Sequence, residues 1–190
     1  MVKLTPDIQA RLLAARDAYV REVSPHYDET LYTVVASVAT SGSVGKADIG
    51  ALLFWKRLRA DTTWAKALHA WPDDQVREAT ARAVNIARDT DLDVAEAARA
   101  SRSALAVLPG FGSGDALASA VLLAAAPTRM AVFDRRAEAG LRRLGIALDR
   151  KPGRFGRYMA LLDDMRIAVS ADYGAVTCRE IDTALYWLGG

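Results

Sequence analysis

The sequence predicts an all-α fold, and three observations carry that expectation. Apolar residues recur at helical spacing almost throughout the 190 residues. No segment combines strand-like alternation with β-branched enrichment for long enough to build a sheet. Short breaks rich in Gly, Pro or Ser separate the periodic segments, which fits short helices packed antiparallel to their neighbours.

The first helix is signalled by Thr5 as N-cap and Pro6 at the first helical position, with Ile8, Leu12, Ala15, Tyr19 and Val23 on one face and Pro25 beyond its end. A second, over about 29–40, carries Leu31, Val34, Val35 and Val38; it is apolar on most sides and is expected to be a central buried helix ending at Ser41-Gly42-Ser43. Ile49, Leu52, Leu53, Trp55 and Leu58 mark the third. Trp64, Leu68 and Trp71 mark a short one before Pro72. Two amphipathic helices are expected over about 73–89 and 93–108, the first through Val76, Ala79, Ala83 and Ile86, the second through Val94, Ala97, Ala98 and Leu105. After Gly110 an apolar helix runs through Leu117, Ala120, Val121 and Leu122 to Pro127. Phe133, Ala137, Leu141 and Leu144 define the next, stopped by Gly145. A long helix follows Lys151-Pro152-Gly153. The last opens at Thr177-Cys178-Arg179-Glu180, where Thr177 and Glu180 form a capping box.

There is no repeat, low-complexity tract or flexible linker, so residues 1–190 are expected to form one domain. At 52% hydrophobic and 25% charged residues, that domain buries a sizeable core unaided. The single cysteine, Cys178, excludes an internal disulfide framework and any multi-thiolate cluster, and a cytoplasmic location is the default expectation. No apolar run has the length a bilayer requires. The opening Met1-Val2-Lys3-Leu4-Thr5-Pro6-Asp7 lacks a signal-peptide pattern, so no membrane association is expected. His26 and His69 sit at no metal-binding spacing, and neither a phosphate-loop nor a dinucleotide fingerprint occurs; no metal or cofactor is expected.

Net charge is only +2 and the isoelectric point is near 8.8, so nucleic-acid binding must rest on local clustering. Lysine occurs only at positions 3, 46, 56, 66 and 151. The arginine bias suits bidentate phosphate recognition, and a GC-rich genome accounts for it equally well.

The most specific local feature is Leu108-Pro109-Gly110-Phe111-Gly112, between two helices. Closely spaced glycines let a backbone turn sharply and bring its N–H groups to a phosphate, and the following helix adds the partial positive charge of its N-terminus. Gly110, Phe111, Gly112, Ser113 and Gly114 are therefore candidate backbone-binding residues. The alternative is a plain αα-hairpin in which one glycine is only a helix C-cap.

With these residues in view, the sequence resembles the helix-hairpin-helix DNA glycosylases, the superfamily of the endonuclease III-like and alkylpurine enzymes. The likeness lies in Leu108-Pro109-Gly110-Phe111-Gly112, the apolar helix Ala118-Ser119-Ala120-Val121-Leu122-Leu123, Pro127, and Ala131-Val132-Phe133-Asp134 leading into an arginine-bearing helix. It is closer to a branch with an early Trp-Lys pair, here Trp55-Lys56, an acid followed by arginine, here Asp134 and Arg136, and the ending Arg179-Glu180-Ile181-Asp182-Thr183-Ala184-Leu185-Tyr186-Trp187. It spans roughly 29–188. The resemblance implies two helical lobes, one of about 29–133 with a hairpin at about 104–122, the other of 1–28 with 134–190, and a cleft between them. It implies Asp134 as catalytic acid and double-stranded DNA as partner. Two departures bound it. Where bifunctional members carry a nucleophilic lysine this chain has Ser113-Gly114-Asp115, and the lone Cys178 cannot hold an iron–sulfur cluster.

In such chemistry a carboxylate stabilises the oxocarbenium character that develops as a base leaves its sugar, and it orients the attacking water. Lys56 is a second catalytic candidate, as a pocket cation, base or amine nucleophile; alternatively it snorkels from a helix edge. Phe54, Trp55, Tyr158 and Trp187 are candidates for a base pocket, with core packing as the alternative for the tryptophans. Arg135 and Arg136, with Arg142 and Arg143, form either a backbone-binding face or a solvated one. For Asp134 the bland reading is a helix cap. The sequence thus leads to a DNA-binding protein of the glycosylase type, able to act as a monofunctional glycosylase. A non-catalytic DNA-structure binder and a helical protein-interaction module remain as alternatives.

Overall fold

Side-chain caps and glycines set the helix boundaries. The computed structural model describes residues 4–149 and 151–190; positions 1–3 and 150, which belong to the expected second lobe and the opening Met1-Val2-Lys3, lie outside them. Ten helices and no strand occur among the described residues, so the protein is all-α. Thr5 caps α1 (Pro6–Glu22) by accepting from the amide of Ile8. α2 (Glu29–Ser41) ends on left-handed Gly42. α3 (Lys46–Trp55) and the short α4 (Thr63–His69) precede α5 (Asp73–Arg88) and α6 (Val94–Leu105). α7 (Ala116–Ala125), α8 (Arg135–Arg143), α9 (Arg154–Tyr173) and α10 (Cys178–Leu188) complete the chain. At α10 the capping box forms as the sequence indicates, with Thr177 and Glu180 exchanging bonds.

Two expectations change in position. The buried central helix is α7, whose residues from Leu117 to Ala125 are all buried, and not α2. On α2 only Leu31, Val34 and Val38 are buried; Thr33 and Thr40 return their hydroxyls to backbone carbonyls on an exposed side, and Tyr32 stands in solvent. α6 stops at Leu105, short of residue 108: Pro109 has no N–H to give the Leu105 carbonyl, and the chain tightens into i→i+3 bonds from Ala106 N to Ser103 O and Leu108 N to Leu105 O.

α2, α3, α5 and α6 pack around α7, whereas α1 and α8 pack on α10; α9 touches both α6 and α10. One continuous core joins these groups, from Leu12 on α1 through Leu122 on α7 to Leu185 on α10. α8 lies close against α10. A Cβ at Gly140 would overlap the carbonyl oxygen of Leu185. Because backbone cannot yield as a flexible side chain does, Gly140→Ala is expected to cost about 1–3 kcal/mol, read as a lowered thermal midpoint.

Candidate functional site

Asp134 is the N-cap of α8, in extended conformation, and its Oδ1 accepts from the amides of Arg136 and Ala137. Its Oδ2 accepts from Lys56 Nζ at 2.7 Å, a bond that ties the end of α3 to the start of α8. The two side chains are 10% and 17% exposed, so Lys56 does not snorkel; it is committed to the carboxylate. Its ammonium also lies 5.4 Å from the Trp55 ring centroid and 5.8 Å from that of Tyr186. Burial pushes the Asp134 carboxyl up, but the Lys56 cation and the two amides outweigh it and hold it below its ordinary 3.8. Capping is therefore its observed local role, and it is ionised at neutral pH.

A pKa depressed by folding contributes stability that is complete above the unfolded value and lost as pH falls through the folded one. Asp134→Asn is accordingly expected to cost about 2 kcal/mol near pH 7, with the difference from wild type closing below its ordinary 3.8. Urea midpoints at pH 7 and pH 3 measure both arms.

Behind this pair lies a second charged group. Asp182, 2% exposed, accepts from Arg179 at 2.6 Å and from the Val132 amide at 3.2 Å, and Tyr158 approaches it while donating to the Val132 carbonyl. Arg179 also reaches Asp28 at 3.4 Å, and Asp28 accepts from the Trp55 indole at 2.9 Å. Burial raises the Asp182 carboxyl above its usual value despite Arg179 and Lys56. The network thus fixes the Val132-Phe133-Asp134 segment from below.

The α6–α7 connection is built on an inward anchor. Phe111 is fully buried and contributes to the core. Gly110 has φ +89° and lies against the Trp64 ring, in space a Cβ would occupy. Arg102 draws the loop's carbonyls inward, donating to Phe111 O at 2.6 Å and Gly114 O at 2.8 Å. Gly112, Ser113 and Gly114 are exposed, and among the described residues their amides donate to no partner. Asp115, at the N-cap of α7, makes no cap; its carboxylate is held by Arg102 at 3.1 Å and Arg154 at 3.0 Å. At the start of α7 only Ala116 is half-exposed; Leu117 and Ala118 are buried.

Next to this loop lies a groove of about 860 Å³, lined by Arg99, Arg102, Gly112, Asp115, Lys151 and the start of α9 at Gly153 and Arg154. Arg99 and Lys151 are 60% and 80% exposed, each in a solvent-exposed ion pair, with Glu96 at 3.6 Å and with Asp149 at 3.4 Å. The Arg154 guanidinium that holds Asp115 also sits 4.7 Å from the ring centroid of Phe133, the residue before Asp134.

The remaining candidates scatter. Trp55 and Tyr158 are core residues, 3% and 0% exposed, and present no open face. Phe54 stands 77% exposed on the surface, and Trp187 meets Tyr19 edge-on at the α1–α10 contact. No ring contact joins any two of these four among the described residues. Arg136 stacks on Tyr186, Arg143 bonds carbonyls at the chain's end, and Arg135 and Arg142 are exposed. An aromatic groove of about 670 Å³, which the sequence did not suggest, lies between α1 and α10 with Tyr19, Tyr27, Asp28 and Arg179 on its walls. Cys178 is buried, its thiol pushed up to about 11 by burial, and it is unreactive at neutral pH.

No protein-family model, curated protein or solved structure matches this chain. No described helix is long and apolar enough to cross a membrane.

Proposed function

We propose that this protein binds the sugar-phosphate backbone of double-stranded DNA through the α6–α7 connection, acting as a helix-hairpin-helix clamp of glycosylase-like fold. One observation carries the reading: the exposed segment Gly112-Ser113-Gly114, whose amides have no internal partners among the described residues, leads into a buried helix, and its Gly112 lines a groove together with Arg99, Arg102, Lys151 and Arg154. Backbone amides and a helix N-terminus attract a phosphate oxygen, and the surrounding cations neutralise its neighbours. Such contacts position a duplex and do not read its sequence.

The test is fluorescence anisotropy with a labelled duplex. A Cβ at Gly112 meets open space, so Gly112→Val keeps the fold while placing a side chain where a phosphate would approach. It is expected to weaken binding about tenfold with an unchanged melting curve. Equal affinity of the variant and wild type overturns the clamp.

A second reading, monofunctional base excision, is favoured by one feature. The Asp134 carboxyl lies below its ordinary range and is ionised at neutral pH, the state an oxocarbenium-stabilising residue needs. In that reaction one water is consumed and the base leaves its sugar, giving free base and an abasic site. Lys56 would have to yield the Oδ2 it now holds. Alkali treatment of duplexes bearing uracil, alkylated purines or oxidised purines reveals abasic sites, and activity that survives Asp134→Asn excludes this role.

A further inference from the structure

Glycine inside a helix loosens it, and a fold retains one where another group must come close. Gly140 in α8 and Gly156 in α9 follow that rule, each facing the backbone of another helix that a Cβ would strike. Gly50 does not. It stands in the middle of α3, exposed, and a Cβ there would meet nothing within 4 Å. The space it leaves open belongs to a groove of about 360 Å³ between α3 and α4, whose apolar lining includes Ile49, Leu53, Trp64 and Leu68. The Trp64 ring is held in place against Gly110.

The groove has a basic end and an apolar one. Lys46 Nζ donates to the carbonyls of His69 at 3.2 Å and Trp71 at 2.8 Å, which holds the end of α4 to the start of α3. Leu53 lies about 10 Å further along α3, and Trp64 lies more than a turn back along α4 from His69. Every ionisable residue on the lining is basic: Lys46, Lys66 and His69. The acids next to Lys46, Asp48 and Asp73, are bound by Arg77 at 3.7 Å and 2.7 Å and do not line the groove. Among the described residues the Lys66 ammonium, the His69 ring and the Trp64 indole N–H have no hydrogen-bond or ion-pair partner.

We infer that this groove binds a short acidic segment of a partner protein, with one large apolar side chain seated between Gly50 and Trp64 and carboxylates on Lys66, His69 and the remaining N–H of Lys46. The lining dictates that chemistry: apolar walls bury an apolar anchor, and a basic end with no acid on it attracts carboxylates. A phosphate backbone has the charge but no apolar side chain to occupy the space at Gly50. The size suits a short segment, since two folded domains in a stable interface each cover roughly 800 Å². No lining residue is shared with the groove beside the α6–α7 connection, so the inference does not depend on duplex binding.

The probes are labelled octapeptides that join four glutamates to an apolar half of leucine and phenylalanine, in both orders, read by fluorescence anisotropy. One order is expected to bind saturably, with a dissociation constant of about 10–100 µM. Controls with the apolar half changed to serine, or the glutamates to lysine, are expected to bind at least about tenfold more weakly. Gly50→Ala is expected to raise the thermal midpoint by about 2 °C, because the fold has no use for the glycine. Gly50→Leu fills the groove and is expected to weaken peptide binding about tenfold or more while duplex affinity stays unchanged. Lys66→Glu, an exposed change on α4, is expected to weaken it about fivefold and gives a second arm independent of helix packing. No saturable binding in either order up to about 1 mM, control peptides that bind equally, or full affinity in Gly50→Leu overturns the inference. A lowered midpoint in Gly50→Ala also overturns it, by giving the glycine a role in the fold. Loss of duplex affinity in Gly50→Leu reassigns the groove to nucleic acid, and self-association that Gly50→Leu abolishes reassigns it to a second copy; each result overturns the inference as well.

Discussion

Asp182→Ala is expected to lower the unfolding free energy by about 3–5 kcal/mol, read from urea denaturation with an unchanged m value. The size of this effect does not come from the charge itself. Burial holds the Asp182 carboxyl above its usual value, so the isolated ion is costly to keep in the fold. What alanine removes is the partner of two other groups. The Arg179 guanidinium at 2.6 Å and the Val132 amide at 3.2 Å would lose an acceptor in a site that water barely reaches, whereas the Tyr158 hydroxyl keeps the Val132 carbonyl at 3.0 Å. An orphaned buried cation and donor cost more than the intact pair contributes. The double change Asp182→Leu with Arg179→Met is therefore expected to recover much of the loss, because it removes both charges together. Recovery no better than either single change would contradict this account of the network.

Arg99→Glu combined with Lys151→Glu is expected to weaken duplex binding about 100-fold at moderate salt, without a change in thermal midpoint. Both side chains are mostly exposed, and so are the ion pairs they make with Glu96 and Asp149, so the fold owes them little. Each reversal deletes one cation from the groove and adds an anion facing the phosphates. The more buried Arg102 and Arg154 are poorer probes. They hold Asp115 and the loop carbonyls, and changing them confounds binding with the loop's own shape.

The fold was legible wherever a boundary is set by residues close in sequence. Thr5 and Pro6, Gly42, and the Thr177–Glu180 box mark helix ends because caps act over three residues. Asp134 as a helix cap was visible for the same reason. The contacts that shape the candidate site span far larger separations. Lys56 finds Asp134 across 78 positions, Arg154 finds Asp115 across 39, and Arg179 finds Asp28 across 151. No periodicity encodes such pairs. The aromatic residues show the same limit. Phe54, Trp55 and Tyr158 have similar chemistry, yet tertiary packing leaves the first in solvent and seals the other two inside. Within the glycine-rich loop the sequence indicated the turn, but not that Phe111 would face the core while Gly112 to Gly114 face outward.

The salt dependence of duplex affinity tests the central claim most directly. Arg99, Arg102, Lys151 and Arg154, less the charge of Asp115, leave about three net positive charges to displace counterions, so log K is expected to fall linearly against log salt with a slope of about −3. A slope near zero, or no binding at the lowest salt, would show that the loop and its groove do not hold a phosphate backbone.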